Sequence, residues 1–183
     1  MRQNKFTHRL ASHADIPLIV EIMRASIAEN MKEFLSEQEI AAAQETMGLD
    51  KTLIEDQTYF IIETQSDGRT IAVACGGWGK RRTLYGGDHT KSRDDSLADP
   101  MADAARIRAM YTHPDWTRRG IGTLLLDLGE AAARAAGFQH IELGSTVPGE
   151  PLYRARGYVE FHRETHLGAN GSENIVIHMR KAL

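Results

Sequence analysis

Apolar residues in this chain recur with two different periods, and the switch between them marks the best-defined elements. Over residues 105–112, Ala105, Ile107, Ala109 and Tyr111 alternate with Arg106, Arg108, Met110 and Thr112, the period of a half-buried strand. His113 and Pro114 end it, since proline has no N–H to give a ladder. From Gly120 the period becomes helical, with Ile121, Leu124, Leu125, Leu128, Ala131, Ala132 and Ala135 in one stripe and Gly137 as the stop.

The same reading places the remaining elements. A short strand at 6–10 leads through Ser12 and Asp15 into a helix carrying Ile16, Ile19, Val20, Met23 and Ile27 at helical spacing. After an irregular stretch at 29–35, Ser36 and Glu39 form a capping-box pattern for a second helix that runs toward Gly48. Residues 58–64 and 70–75 read as two strands joined by a turn at Asp67 and Gly68. A strand at 138–146 puts Ile141, Leu143 and Ser145 on one face, and 158–166 with 174–180 reads as a final hairpin. Strand, helix and strand in succession predict a parallel pair, 105–112 beside 138–146, joined by a right-handed crossover.

Composition adds limits. The 183 residues suit one domain, and 42% hydrophobic with 26% charged residues is ordinary for a globular protein. A net charge of −3 gives no basic field, so nucleic acid is not an expected partner. Arg2, Lys5, Arg9 and Asp15 interrupt any apolar run near the start, and no stretch of about 20 apolar residues occurs, so no signal peptide or membrane span is expected and a cytoplasmic location is. The single cysteine, Cys75, excludes an internal disulfide and is expected to be a buried apolar residue rather than a nucleophile.

The turn at 117–123 carries the candidate chemistry. The first N–H groups of a helix have no intrahelical partner and sit at the positive end of its dipole, so an anion is favoured there. Gly120 and Gly122 allow close approach to the backbone, and Arg118 and Arg119 add charge. A P-loop is excluded because Leu125 and Leu126 stand where it needs Gly and Lys, and a dinucleotide fingerprint is excluded by Leu125.

Strand, turn, Arg118-Arg119-Gly120-Ile121-Gly122 and amphipathic helix together resemble the acetyl-CoA-binding motif of the GNAT superfamily of N-acetyltransferases, [QR]-x-x-G-x-[GA], with Thr117 in the leading position. A second match lies at Leu152, Tyr153, Gly157 and Tyr158, which fill [FL]-Y-x-x-x-G-[FY], while Thr146 takes the place of an Asn common in the family. The resemblance implies an α/β chain of the α+β type. In that GNAT fold a central mixed, mostly antiparallel sheet of about six or seven strands, with a parallel central pair, is flanked by about four helices. It implies a single N-acetyltransferase domain over residues 1–183, with acetyl-CoA as co-substrate and no metal. The acceptor is a small-molecule or protein amine, and a homodimer is among the assemblies the family forms.

By the same resemblance, Met110, Tyr111 and Thr112 meet the pantetheine arm. Arg118, Arg119, Gly120, Ile121, Gly122, Thr123 and Thr146 belong to the cofactor site, and Tyr153 is the catalytic residue. The chemistry is compatible: reference pKa values of ~8.5 for a thiol and ~10 for tyrosine let a phenol protonate a departing thiolate. The amine must lose a proton, and for that Glu29, Glu33, His113 and Glu142 stay open as bases, because Arg106 and Arg108 occupy the central strand where the family often has a carboxylate. Those arginines read either as acceptor-binding cations or as salt-bridged structural residues. Residues 76–103, rich in glycine and polar groups, read as a flap over the acceptor site with Trp78, Arg81, Arg82, Tyr85, Asp88 and His89 as contacts, or as a flexible surface excursion. His162 and His166 do not make a zinc motif, since Arg163 follows the first histidine where the metalloprotease pattern needs Glu. A CoA-binding sensor without turnover is the alternative to an enzyme.

Overall fold

The computed structural model describes residues 6–91 and 93–183; Arg2 and Lys5 lie outside them. Among the described residues seven strands form one sheet: β1 (Thr7–Leu10), β2 (Tyr59–Ser66), β3 (Arg69–Gly79), β4 (Ala105–Thr112), β5 (His140–Ser145), β6 (Val159–Leu167) and β7 (Glu173–Ala182). Their spatial order is β1-β2-β3-β4-β5-β7-β6. Five α-helices among the described residues flank it: α1 (Ile16–Asn30), α2 (Glu37–Gln44), α3 (Lys51–Glu55), α4 (Ile121–Ala135) and α5 (Glu150–Ala155). The β4–β5 pair is parallel and every other neighbour is antiparallel, the arrangement expected from the strand, helix and strand succession.

Local chemistry explains the boundaries. Asp67 and Gly68 both adopt positive φ, 49° and 74°, which matches the twist a two-residue hairpin requires. Ser36 caps α2 by accepting from the Glu39 N–H while Glu39 accepts from the Ser36 N–H at 2.8 Å. The helix ends at Gln44, short of Gly48.

Two expectations change. Residues 76–79 belong to β3 and not to an irregular segment. A side chain on Gly76 would meet Met110 Cγ at 2.9 Å and Leu125 Cδ1 at 3.3 Å, so glycine makes room for the Met110 side chain of the neighbouring β4 and for α4 packed over the sheet. Trp78 accordingly sits in the core, edge-to-face with Phe138 at 6.1 Å, and not in a flap. The buried face of α4 is also turned from the predicted stripe: Leu126, Gly129 and Ala133 are buried while Ala131 and Ala135 are exposed. A Cβ on Gly129 would stand 2.9 Å from Ile107 Cδ1, so the helix rides low over β4 at that point.

Buried apolar residues cluster on both faces of the sheet. On one side Ile19, Ile22, Ile54, Ile61 and Cys75 pack together, and on the other Leu126, Ile141, Leu143, Ile177 and Met179. Cys75 is fully buried, as expected.

Candidate functional site

The sheet opens where β4 and β5 part. Their register runs only through Ala105 opposite Ile141 and Arg106 opposite Glu142. On its other edge β4 is bulged: Cys75 faces Tyr111 but Gly77 faces Arg108, so β4 spends one more residue than β3. The bulge holds Ala109 at φ 49°, and the Tyr59 hydroxyl pins it by donating to Ala109 O at 2.6 Å. Beyond Arg106 the β4 edge turned toward β5 is free of strand pairing, and a cleft of about 110 Å³ lies there.

Four parts of the chain wall this cleft besides the two strands. Thr46, Met47 and Gly48 follow α2; Leu84, Tyr85 and Gly86 come from the 80–104 connection; Asn174 and Val176 come from β7; and Tyr153 comes from α5. Of the predicted residues, Met110, Tyr111, Thr146 and Tyr153 line it. Burial pushes the Tyr153 phenol up to about 12, and its Oη stands 4.0 Å from Met110 Sδ. The phenol is therefore neutral and a proton donor throughout the physiological range. Thr112 sits at the end of β4 with its carbonyl accepting from Asn30 Nδ2 at 2.8 Å.

None of residues 117–123 lines the cleft; the turn before α4 meets its wall only through α5, where Gly122 packs on Leu152 beside Tyr153. The first backbone hydrogen bond given by the helix is from Leu124 N–H to Gly120 O, so the N–H groups of Ile121, Gly122 and Thr123 precede the ladder. Arg118 and Gly120 both take positive φ, 60° and 82°, which folds the turn tightly and leaves Gly120 at the surface. The two glycines have different reasons to be there. Gly120 supplies backbone conformation, with open space where a side chain would be, whereas a Cβ on Gly122 would stand 2.8 Å from Leu152 Cδ2 of α5. Arg119 lies over the Trp116 ring at 4.7 Å and donates to Asp115 O, and Arg118 is exposed. A diphosphate fits this donor set: free amides, a dipole end and two cations, with no carboxylate side chain bonded to either arginine.

Arg106 and Arg108 are salt-bridged structural residues. Arg106 Nη1 donates to Glu142 Oε2 at 2.7 Å, and Glu142 also accepts from Arg180. Arg108 Nη2 donates to Asp50 Oδ2 at 2.7 Å, deep in the fold. Burial pulls the Arg108 guanidinium below its usual value and Asp50 opposes that. Glu142 is thereby occupied, Glu29 pairs with Lys32, and His113 Nδ1 accepts from the Asp115 N–H; none of the three lines the cleft, nor does the exposed Glu33.

The 80–104 segment is strapped down. Arg81 pairs with Asp56, Arg82 with Asp103, Asp88 accepts from the Lys51 N–H, and His89 Nε2 lies 2.9 Å from Glu45 O. Of the six proposed flap contacts only Tyr85 reaches the cleft. Among the described residues no group of three His, Cys, Asp or Glu side chains has the spacing of a metal site, and no helix is long and apolar enough to cross a membrane.

A family model described as an acetyltransferase (GNAT) domain matches residues 55–160, which span the splayed strands, the α4 turn and Tyr153. The chain belongs to the GNAT family. Like GNAT proteins generally, it is built for acyl transfer. Over its full length it superposes on a GCN5-related N-acetyltransferase from Rhodopseudomonas palustris with a TM-score of 0.68 at 22% identity, covering 99% of that chain. It also resembles the PaiA N-acetyltransferase of Thermoplasma acidophilum, solved in complex with coenzyme A (TM-score 0.59, 15% identity, 98% of this chain and 99% of that one). The yncA protein of Salmonella typhimurium, solved with its cofactor acetyl-CoA, gives 0.60 at 18% identity over 98% and 94%. These likenesses are of fold. In sequence, 79 residues are 35% identical to an aspartate/glutamate leucyltransferase of Mesorhizobium japonicum, a match covering 43% of this chain and only 30% of that relative.

Proposed function

We propose that the protein is an acetyl-CoA-dependent N-acetyltransferase in which an acceptor amine attacks the bound thioester directly. The observation that carries this reading is the neutral phenol of Tyr153 beside Met110 at the unpaired β4 edge, with the free amides of the α4 turn next to it through the packing of Gly122 on Leu152 of α5. Two of the structural relatives were solved with coenzyme A or acetyl-CoA, which supports the choice of co-substrate.

In this reading the amides of Ile121, Gly122 and Thr123, with Arg118 and Arg119, hold the diphosphate. The backbone at Met110, Tyr111 and Thr112, with Thr146 across the cleft, aligns the pantetheine arm. An acyl thioester there supplies an activated carbonyl carbon, and the chain's part is to orient it, keep water out and manage protons. Tyr153 gives its proton to the leaving sulfur. Cys75 stands buried on β3 with its thiol pushed up to about 12, outside the cleft lining, so transfer needs no acyl-cysteine.

The acceptor is a primary amine on a small molecule or a protein. With Arg106, Arg108 and Glu142 all bound to partners within the fold, the cleft offers neutral polar groups and aromatic faces more than a fixed charge. Calorimetric titration with acetyl-CoA tests the first half of the proposal. A thiol-release screen against polyamines, amino acids, aminoglycosides and lysine peptides tests the second. No heat with acetyl-CoA at millimolar concentration would sink the reading. Binding without thiol release for any amine would favour a CoA-binding sensor.

A further inference from the structure

Tyr85 enters the cleft between two fixed carbonyls. Thr83 O and Gly86 O accept from Arg108 at 3.2 and 2.7 Å, so the buried guanidinium that pairs with Asp50 also sets the loop around Tyr85. Its ring lies against Gly144 of β5, where a Cβ would stand 2.9 Å from Tyr85 Cδ1. At the end of the ring the hydroxyl donates to Glu164 Oε2 at 2.8 Å and lies 2.9 Å from His166 Nε2.

Glu164 is the centre of this cluster. Its Oε2 is also 2.9 Å from His166 Nε2, while Oε1 is 3.2 Å from His178 Nε2 and 3.7 Å from His162 Nε2. The further charged groups on this side are Glu142 of β5, held by Arg106 and Arg180. Contact runs from the cleft to solvent, because Tyr85 lines the cavity while the side chains of Glu164 and His166 are 32% and 41% exposed. Burial opposes charge on Glu164, but the Tyr85 hydroxyl, His178 and His166 outweigh it, and the carboxyl sits below its usual value, ionised at neutral pH.

An ionised carboxylate only accepts hydrogen bonds. The one phenolic proton of Tyr85 is therefore committed to Glu164, and the Oη lone pair, 2.9 Å from His166 Nε2, is open to a donor from the cleft when that ring nitrogen carries no proton. We propose that Tyr85 and Glu164 are the base side of the reaction: Tyr85 Oη takes a proton from the acceptor nitrogen as its own proton passes to Glu164, and His166 carries it to solvent. This rests on the N-acetyltransferase reading above.

The step balances. Nitrogen bonds to the thioester carbon and the carbon–sulfur bond breaks; nitrogen loses one proton to Tyr85, Tyr85 passes one to Glu164, and sulfur gains one from Tyr153. Glu164 then loses its proton through His166 to water, and Tyr153 regains one from water. Amide and thiol are the only net products. Tyr85 is the catalytic residue of this pair, and Glu164 acts through it.

Tyr85→Phe and Glu164→Gln keep shape, and calorimetry with acetyl-CoA verifies that each variant still folds and binds. With the acceptor returned by the amine screen, each should lower kcat about 100-fold or more while acetyl-CoA affinity stays within about twofold. The double variant should fall no further than Tyr85→Phe alone, since the two act in series. The loss should shrink as pH rises, because solvent can then take the proton. Losses that multiply in the double variant, or a Tyr85→Phe enzyme with unchanged kcat and pH profile, overturn the relay and leave the acetyl-transfer reading standing. A wild-type protein that fails to bind acetyl-CoA overturns the reading itself.

Discussion

Arg108 and Asp50 pair at 2.7 Å with side chains only 3% and 1% exposed, across 58 residues of sequence. Asp50 does more than neutralise charge: Oδ1 caps α3 by accepting from the Thr52 N–H, and Oδ2 also accepts from Arg93 at 3.0 Å. Helix α3, strand β4 and the 80–104 connection therefore meet on one carboxylate. Breaking such a pair leaves a buried charge uncompensated, which costs about 3–5 kcal/mol. Asp50→Asn, which leaves Arg108 with carbonyl partners alone, is expected to lose stability on this scale in urea unfolding, and Arg108→Met less, because Asp50 keeps Arg93. Both should also lower turnover through displacement of Tyr85. A loss below about 1 kcal/mol in both variants would mean that the pair is worth no more than a surface contact.

Gly122 and Leu152 make a second, separable test. Gly122→Ala forces Leu152 Cδ2 away from 2.8 Å, and Leu152 precedes Tyr153 on the short α5 helix. Substitution there should lower kcat several-fold, and Leu152→Ala should restore part of it by giving back the space. Gly120→Ala has no side-chain clash but places Cβ at φ 82°, a strain of roughly 1–2 kcal/mol that Leu152→Ala cannot relieve. Steady-state kinetics on the three single and two double variants check this. Equal response of both glycine variants to Leu152→Ala would count against the distinction.

The part of this architecture written in local pattern was legible before the fold was known. The period change at Gly120 and the Asp67-Gly68 turn are properties of consecutive residues, and both are found where the pattern put them. What was hidden depends on residues distant in sequence. Gly76 and Gly77 resemble loop glycines, yet they are glycines because Met110 and the Thr58–Tyr59 backbone press on them, which no short window reveals. Tyr85 meets Glu164 across 79 residues, and the choice of Arg108 as anchor instead of acceptor ligand depends on Asp50, in a stretch where the pattern predicted no element and α3 is found. The available signal for the relay was Tyr85 itself, an aromatic residue in a glycine-rich, polar segment.

Tyr153 is expected to act as a proton donor, and its environment sets the pH range. With burial pushing the phenol up to about 12, it stays protonated well above neutral pH, so no alkaline loss of activity near pH 8 to 9 should come from it. Tyr153→Phe should lower kcat about 100-fold with acetyl-CoA affinity almost unchanged. The deficit should be smaller for a thioester whose thiol is more acidic, because a better leaving group needs less protonation. A variant that loses affinity and turnover in equal measure would instead assign Tyr153 to binding.

The buried thiol and phenol also predict how the fold responds to alkali. Burial pushes Cys75 up to about 12, against ~8.5 for a thiol in the unfolded chain, and it raises Tyr153 in the same way. A group whose value is raised on folding binds its proton more tightly in the native state, so its contribution is complete below the unfolded value and is lost as pH climbs toward the folded one. Stability should thus be steady below about pH 8, fall as pH passes 8.5 for Cys75, and fall more steeply above 10 as the phenols join. Unfolding midpoints in urea between pH 7 and 11 measure this directly. At pH 8 a thiol reagent should modify Cys75 only at the rate of unfolding, and labelling faster than that rate in the native protein would show that β3 opens locally.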